Sequence, residues 1–207
     1  MRLEGKTTMI TGASRNIGRQ IALTFAKEGS DLILNTRSSK NELDEVAYSC
    51  AELGVKTHIV LGDVSDPDKC SEMVQEGINS LGKIDVLISN VAIRPHRPIL
   101  DVSNDEWQTV MQTNLFPAFY LIKAVLPDMI KRQSGSIIAL GGQAAITGRP
   151  ETASVTTAKH GLLGLLRAVA AEMAPYNIRA NMVNPGSTDT QRLNPEWYPE
   201  FEQLDRG

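Results

Sequence analysis

The chain has 207 residues, of which 42% are hydrophobic and 22% charged, and its formal net charge is −3. This composition is typical of one globular domain and excludes disordered and fibrous proteins. The slightly acidic balance argues against a nucleic-acid partner, and no apolar run is long enough to span a membrane. The two cysteines lack zinc-ligand spacing and the N-terminus lacks a targeting pattern, so we expect a cytoplasmic protein without disulfides or a metal site.

Short apolar runs alternate with longer segments of helical periodicity along the whole chain. The predicted strands are 7–11, 31–35, 58–61, 84–89, 135–140 and 178–183. The predicted helices are 17–28, 41–53, 66–82, 105–131 and 153–174, and Pro117 and Pro127 should kink or break the fourth of them. This alternation predicts a Rossmann-like, doubly wound parallel α/β sheet in a single domain, residues 1–207, which binds ligands at the carboxyl ends of its strands.

The loop after the first strand has the composition of a phosphate-binding turn. It runs from Thr11 to Gly18 as TGASRNIG, which differs from the G-x-G-x-x-G spacing. Gly12 can form a tight turn, Gly18 lets the helix approach the strand, and the N–H groups that begin the helix attract a pyrophosphate. The alternative is an ordinary strand–helix turn. The expected dinucleotide contacts in this loop are Gly12, Ser14, Arg15, Asn16, Ile17 and Gly18.

Two arginines indicate which dinucleotide this loop prefers. Binding of a ribose 2′-hydroxyl usually involves an acidic side chain at the end of the second strand, but Arg37 stands there in this sequence. Arg15 projects from the glycine loop, and two guanidinium groups suit a 2′-phosphate through charge-assisted hydrogen bonds. The sequence therefore predicts NADP(H) rather than NAD(H); the alternative is two solvated surface arginines.

These motifs resemble the short-chain dehydrogenase/reductase family, including its 3-oxoacyl-carrier-protein-reductase-like members. Residues 11–18 resemble the family's T-G-x-x-x-G-x-G loop, with Asn16 in place of the middle glycine, and Asn114-Leu115 resembles its N-L-x-G motif. The resemblance implies that further cofactor contacts come from Asp63, Val64, Asn90, Lys159 and, in a P-G-x-x-x-T loop, from Pro185, Gly186, Thr188 and Thr190.

The resemblance also shows a departure at the catalytic positions. The family uses Asn, Ser, Tyr and Lys, with Y-x-x-x-K on one helix face, where the lysine lowers the pKa of the tyrosine. Asn114 and Lys159 match this set, whereas Val155 occupies the tyrosine position and Gly142 the serine position. The two groups that would contact a carbonyl oxygen are therefore replaced, and the two that organise the cofactor side remain.

The C-terminal part of the chain is shorter than the resemblance implies. Family members usually have a seventh strand and a final helix, so either the sequence is truncated or the sheet lacks its seventh strand, and the substrate lid, 187–207, is incomplete. Tyr198 in this lid is a candidate substitute for the missing tyrosine. The apolar helix 153–174 resembles the helix through which the family forms dimers or tetramers, which implies a homo-oligomer; a hetero-oligomer is the alternative.

A basic loop, 93–98, follows the fourth predicted strand. The resemblance implies that this loop lies beside the substrate opening. The sequence favours a solvated loop stiffened by two prolines. The alternative is that the loop, together with Arg149, attracts an acidic small-molecule substrate.

Three functions follow from these observations. The resemblance favours an NADP(H)-dependent oxidoreductase of an alcohol/carbonyl pair, with water, a substrate group or Tyr198 as the proton donor of a non-standard site. The second is a catalytically silent, cofactor-binding subunit of a hetero-oligomer. The third is a non-redox enzyme, such as a dehydratase, isomerase or lyase, that uses Lys159 as a base in the same cleft, since a fold does not determine a function.

Overall fold

The computed structural model of the chain describes residues 1–191 and 197. In these residues, six parallel strands form one sheet in the order β3-β2-β1-β4-β5-β6. The strands are β1 (Thr7–Ile10), β2 (Asp31–Thr36), β3 (Thr57–Leu61), β4 (Val86–Ser89), β5 (Gly135–Leu140) and β6 (Ile178–Val183). The helices are α1 (Asn16–Lys27), α2 (Lys40–Ala51), α3 (Pro67–Leu81), α4 (Asn104–Asn114), α5 (Phe116–Arg132) and α6 (Ala153–Met173). The predicted Rossmann-like, doubly wound α/β fold is therefore confirmed.

The central strands are buried on both faces of the sheet. Met9 and Ile33 pack into one apolar layer with α3, α5 and α6, whereas Ile10 and Leu34 pack into the other with α1 and α2. None of these four side chains is exposed. Because successive side chains of a strand point to opposite faces, continuous apolar runs supply both layers at once. The loops at the carboxyl ends of the strands are left to form a site.

The predicted helix 105–131 is two helices. α4 ends at Asn114 and α5 begins at Phe116, with Pro117 in its first turn, where the missing N–H removes no helical hydrogen bond. Pro127 lies inside α5, which continues to Arg132, so the break expected at Pro127 is not observed. Pro127 is on the solvent-exposed side of α5, where water can hydrate the carbonyl group that lacks a helical partner.

In the single chain, α6 is buried on one side. Leu162 and Leu166 are each only 2% exposed. Gly161, Gly164 and Ala168 lie on an exposed face of the same helix. This face is therefore uncovered within one copy, and oligomerisation through α6 stays a prediction.

Neither cysteine is available for chemistry at neutral pH. Cys50 and Cys70 are buried and unpaired. Burial raises the pKa of Cys50 to about 11 and that of Cys70 to about 12, so both thiols stay protonated. Within residues 1–191 and 197, no helix is long and apolar enough to cross a membrane.

Candidate functional site

A cavity of about 310 Å³ lies at the carboxyl ends of β1, β4, β5 and β6. Its wall consists of the loops that follow these strands, one side chain of α6, and Trp197. Most of the residues that the sequence singles out line this cavity: Gly12, Arg15, Asn16, Ile17, Asn90, Gly142, Lys159, Pro185, Gly186, Thr188 and Thr190. The topology thus brings together residues from both ends of the chain. Of the predicted lid, 187–207, the structure describes residues 187–191 and 197, and Tyr198 lies outside the described residues.

The glycine loop is shaped for a ligand that approaches its backbone. Gly12 has a φ of 62°, a left-handed conformation that favours glycine. A Cβ atom on Gly18 would collide with the Gly12 carbonyl oxygen, so only glycine lets α1 pack this close. α1 begins directly after Arg15, whose side chain makes no capping hydrogen bond. The first N–H groups of the helix therefore stay available to an anion, as a pyrophosphate site requires.

Two asparagines hold this loop in place. Asn90 Nδ2 donates to the carbonyl oxygens of Thr11 and Gly12 at 3.0 and 3.2 Å. Asn35 Oδ1 accepts from Gly12 N at 3.4 Å, while Asn35 Nδ2 donates to Gly62 O at 3.1 Å. The sequence analysis missed Asn35. Its signal was an amide side chain within the apolar second strand, where a buried polar group requires hydrogen-bond partners.

The loop after β6 forms another part of the cavity wall. Asn184 Oδ1 accepts from Gly142 N at 3.1 Å, which connects this loop to the one that follows β5. Within the loop, Thr188 Oγ1 donates to Gly186 O at 3.2 Å. Asn184 is a second residue that sequence reasoning missed, because nothing local relates it to Gly142, 42 residues earlier.

Several predicted cofactor contacts lie outside the cavity wall. Arg37 and Asp63, at the ends of the neighbouring strands β2 and β3, form an ion pair with Nη1 and Oδ2 3.3 Å apart. Burial raises the pKa of Asp63, but hydrogen bonds from Ser65 and Arg37 outweigh it and hold that pKa below its ordinary value. Val64 is buried in the apolar layer with α3. Ser14 lines an open groove beside the cavity.

Lys159 is a buried cation in the cavity wall. The residue is only 4% exposed. Its Nζ donates to the carbonyl oxygen of Leu140, the last residue of β5, at 2.6 Å. Burial, followed by repulsion from Arg94, lowers the pKa of Lys159 from 10.5 to about 8. A lysine with this pKa can both give and take a proton at mildly alkaline pH.

The structure also describes the surroundings of the other residues that the resemblance singled out, Asn114, Val155 and Gly142. Asn114 Oδ1 accepts from Ile93 N and its Nδ2 donates to Ile93 O, both at 2.8 Å, so this amide positions the loop after β4. Val155 is 4% exposed and packs in an apolar cluster with Ala158. Gly142 lines the cavity with a φ of 99°, a conformation that strains any side chain.

The basic loop 93–98 is held in place by specific contacts. Arg97 Nε lies 2.6 Å from Glu106 Oε2, and Pro95 is buried. Arg94 lines the cavity, whereas Arg149 does not. An ion pair and a packed proline therefore fix the course of this loop, while Arg94 and Pro98 are exposed.

The described wall of the cavity carries only positive charge. Its charged side chains are Arg15, Arg94 and Lys159, and none of its described residues is acidic. A cavity with low-dielectric walls and charges of one sign concentrates ligands of the opposite charge. Together with the glycine loop, this arrangement fits a phosphate-containing dinucleotide.

The family profile described as short chain dehydrogenase matches residues 6–199 of the chain. The chain belongs to the short chain dehydrogenase family. The match begins just before β1 and extends past β6, so it includes every described residue that lines the cavity.

Relatives within this family support the assignment. The chain is 35% identical to the 3-oxoacyl-(acyl-carrier-protein) reductase FabG of Staphylococcus epidermidis over 181 residues. These aligned residues cover 87% of this chain and 74% of that protein. The chain is also 35% identical, over 190 residues, to the reductase of the same name from Thermotoga maritima, with 92% and 77% covered. The crystal structure of an NAD⁺-bound xylitol dehydrogenase superimposes with a TM-score of 0.86 at 32% identity, over 90% of this chain and 72% of that one.

Proposed function

We propose that this protein binds NADP(H) and acts as an oxidoreductase on an alcohol/carbonyl pair, without the tyrosine and serine hydroxyl groups of its family. The observation that carries the proposal is the cavity in which the glycine loop, Lys159 and the loop after β6 meet. Its wall offers free helix N–H groups and positive charge, which suit a dinucleotide. Such a cofactor supplies or accepts a hydride when bound.

The proposal assigns separate tasks to the residues around the cavity. The backbone from Gly12 to Ile17 would hold the pyrophosphate, with Gly18 setting the close approach of α1. Asp63 and Val64 would border the adenine, with Ser14 and Arg37 near the ribose that bears the 2′-phosphate. The nicotinamide half would lie among the remaining residues named from the sequence: Asn90, Lys159, Pro185, Gly186, Thr188 and Thr190.

The preference for NADP(H) depends on the ion pair between Arg37 and Asp63 at the ends of β2 and β3. The Arg37 side chain is 74% exposed and that of Asp63 is 39% exposed, so their ion pair is screened by water and weak. A 2′-phosphate offers Arg37 a stronger, bidentate partner. Because the structurally similar xylitol dehydrogenase is NAD⁺-bound, the fold itself does not select the cofactor, and the choice falls to these side chains.

The substrate proposed for this site is a small acidic molecule. Arg94 lines the cavity beside Lys159, and its guanidinium lowers the pKa of that lysine through space. A carboxylate on the substrate would relieve the repulsion between the two cations. Arg149, which the sequence grouped with this loop, lies outside the described wall.

A fluorescence titration with NADPH and with NADH tests the cofactor assignment. We expect NADPH to bind more tightly, and Arg37→Gln to weaken NADPH binding by about 10-fold while leaving NADH binding unchanged. Arg2→Gln, at an exposed arginine outside the cavity, is the matched control. Equal binding of the two cofactors would contradict the assignment of Arg37, and binding of neither would remove the redox proposal.

A second function is favoured by the catalytic positions. Val155 lies in the core and Gly142 has a backbone conformation that favours glycine, so neither is an exposed position awaiting a catalytic side chain. A cofactor-binding subunit without activity of its own would have these features. Tight NADPH binding without oxidation of NADPH by any carbonyl compound would support this subunit, whereas turnover without a dinucleotide would indicate the non-redox enzyme.

We also propose that the protein is a homo-oligomer through α6. The exposed face at Gly161, Gly164 and Ala168 lets a second helix approach closely. Sedimentation of wild type and Gly164→Arg distinguishes the states, because a long charged side chain on this face would dissociate the oligomer. A wild-type monomer, or a complex with a different subunit only, would contradict this proposal.

A further inference from the structure

We propose that Lys159 itself transfers the proton of the redox step, in place of the tyrosine whose position Val155 occupies. This inference rests on the proposed redox function, and the structure supports it through the composition of the cavity wall. A carbonyl group that receives a hydride must also receive a proton on its oxygen, and a positioned acid accelerates this step by about 10²- to 10⁴-fold.

Among the described residues of the wall, Lys159 is the one side chain with a proton to exchange near neutral pH. The other charged members are Arg15 and Arg94, and guanidinium groups do not deprotonate in proteins. The hydroxyl groups of Thr188 and Thr190 do not ionise in this range. No acidic residue, histidine, tyrosine or cysteine belongs to the described wall.

The position of the ammonium group suits a contact with substrate. Lys159 Nζ donates to Leu140 O, which fixes the end of a flexible side chain at the carboxyl end of β5. An ammonium group has three N–H donors, so two remain for a cofactor hydroxyl and a carbonyl oxygen in the cavity that Lys159 lines. The helix α6 and the sheet hold this arrangement, so the lysine does not need to reorganise during the reaction.

The charges around Lys159 suit the same role. Arg94, from the loop after β4, opposes its protonation, and burial does so more strongly, so the pKa of Lys159 lies at about 8. Across the cavity, Arg15 comes from the glycine loop. Asp189, from the loop after β6, lines the neighbouring groove rather than the cavity. On α6 itself, His160 points out to solvent. An acid is most effective when its pKa lies close to the working pH, and this environment produces that condition.

The step balances without a further reactant. In reduction, the carbonyl carbon would receive its hydride from NADPH held in the cavity, and the Lys159 ammonium gives one proton to the carbonyl oxygen. The products are the alcohol, NADP⁺ and a neutral amine at Lys159, which takes up a proton from solvent. In oxidation the neutral amine accepts the alcohol proton. Reduction should therefore slow as the pH rises through the pKa of Lys159, and oxidation should accelerate.

The decisive experiment compares wild type with Lys159→Arg and Lys159→Ala. NADPH binding is measured first, by fluorescence, followed by NADPH oxidation with acetoacetate and with its neutral ethyl ester as carbonyl probes. Arginine keeps a cation and hydrogen-bond donors but cannot release a proton. We expect Lys159→Arg to bind NADPH and to lose about 100-fold in kcat. Lys123→Met, at an exposed lysine of α5, is the matched control and should retain wild-type rates.

Chemical rescue separates proton transfer from a structural role. Ethylamine added to Lys159→Ala should restore turnover, and rescue by a series of primary amines should depend on their pKa. Three results would each overturn the inference while leaving the redox function intact. They are a rescue that does not depend on the pKa of the amine, a Lys159→Arg rate within about tenfold of wild type, and a wild-type rate that does not change with pH. The wild-type profile decides even if the variants fail to fold. NADPH binding without turnover by wild type would overturn the redox function and, with it, this role of Lys159.

Discussion

The side-chain amide of Asn16 holds the backbone of Gln191 at both of its polar groups. Asn16 Nδ2 donates to Gln191 O and Asn16 Oδ1 accepts from Gln191 N, each at 3.0 Å, across 175 residues of sequence. Asn16 has a φ of 50°, in the left-handed region that asparagine tolerates better than most residues. Asn16 therefore joins the two loops that border the cavity.

Removing this link should make cofactor exchange faster. Asn16→Gly keeps the backbone conformation but deletes two hydrogen bonds that together contribute about 1–3 kcal/mol. We expect NADPH to dissociate about 10-fold faster, measured by stopped-flow fluorescence. A dissociation rate of Asn16→Gly equal to that of wild type would show that the link does not restrain the loops.

Introducing a tyrosine at residue 155 tests whether the residues around Lys159 can still use the tyrosine hydroxyl of the family's catalytic set. Val155→Tyr should increase carbonyl reduction by about 100-fold if its hydroxyl reaches the cavity beside Lys159. Val155→Phe has nearly the same volume without the hydroxyl and should give no increase. Both variants should lose about 1–3 kcal/mol of stability, because Val155 is packed in an apolar cluster. Equal rates for the two variants, with both folded, would show that the residues around Lys159 cannot use this hydroxyl.

The serine position does not lend itself to the same restoration. Gly142 has a φ of 99° and a ψ of −177°, which any side chain adopts only with strain. We therefore expect Gly142→Ser to cost about 1–3 kcal/mol in the free energy of unfolding, whether or not Val155→Tyr is present. Urea denaturation measures this cost, and Gly148→Ser, in open space at an ordinary φ, is the matched control. A cost no larger than that of the control would mean that the loop relaxes.

Asp85 connects β1, β4 and α5 at the end of the sheet away from the cavity. Its carboxylate accepts from Thr7 N and lies 3.0 Å from both Lys83 Nζ and Arg132 Nη1. Burial raises the pKa of Asp85, but these three partners outweigh it, so the pKa lies below its ordinary value. The stability from Asp85 is therefore present above the ordinary carboxyl pKa and is lost as the pH falls through the lowered value.

Asp85→Asn should thus destabilise the protein most at neutral pH. We expect a loss of about 1–3 kcal/mol, because a neutral amide weakens the contacts of this buried carboxylate with Thr7 N and with the partly exposed Lys83 and Arg132. Asp128→Asn removes a second, more exposed partner of Arg132 and should cost less than about 1 kcal/mol. Urea denaturation between acidic and neutral pH measures both. A difference between wild type and Asp85→Asn that does not shrink in acid would contradict the charge-based explanation.

The buried charge of Lys159 should reduce the free energy of unfolding of the protein. Its pKa is lowered by folding, so the charged form is penalised in the folded state at pH values below about 8. Lys159→Met should therefore be more stable than wild type by about 2 kcal/mol near neutral pH. The difference in stability between Lys159→Met and wild type should decrease as the pH rises from about 8 toward the ordinary lysine pKa. In this range the lysine of the unfolded chain also becomes neutral, so folding no longer has to remove its charge. Equal stability of the two proteins across this range would show that the burial of charge is not costly.

The order of strands and helices was predictable because it depends on local patterns. The runs of apolar residues around Met9, Ile33 and Leu87 are long enough to fill both layers of a parallel sheet, and only that architecture buries them. The same reasoning misjudged Pro127, since a proline on the solvent side of a helix leaves its carbonyl partner to water. The glycine loop was recognised because Gly12 and Gly18 are required by backbone geometry.

By itself the sequence determined the α/β architecture, the glycine loop, and the absence of a hydroxyl at residues 142 and 155. Only the tertiary structure decided what the remaining polar groups do. Asn114 serves the loop after β4, Asn16 joins Gln191, and Asn184 joins Gly142. The physical reason is the separation along the chain over which each effect acts. Periodicity and turn chemistry act between residues that are near neighbours in sequence. A hydrogen bond forms instead between whichever polar groups the fold brings within about 3 Å of each other.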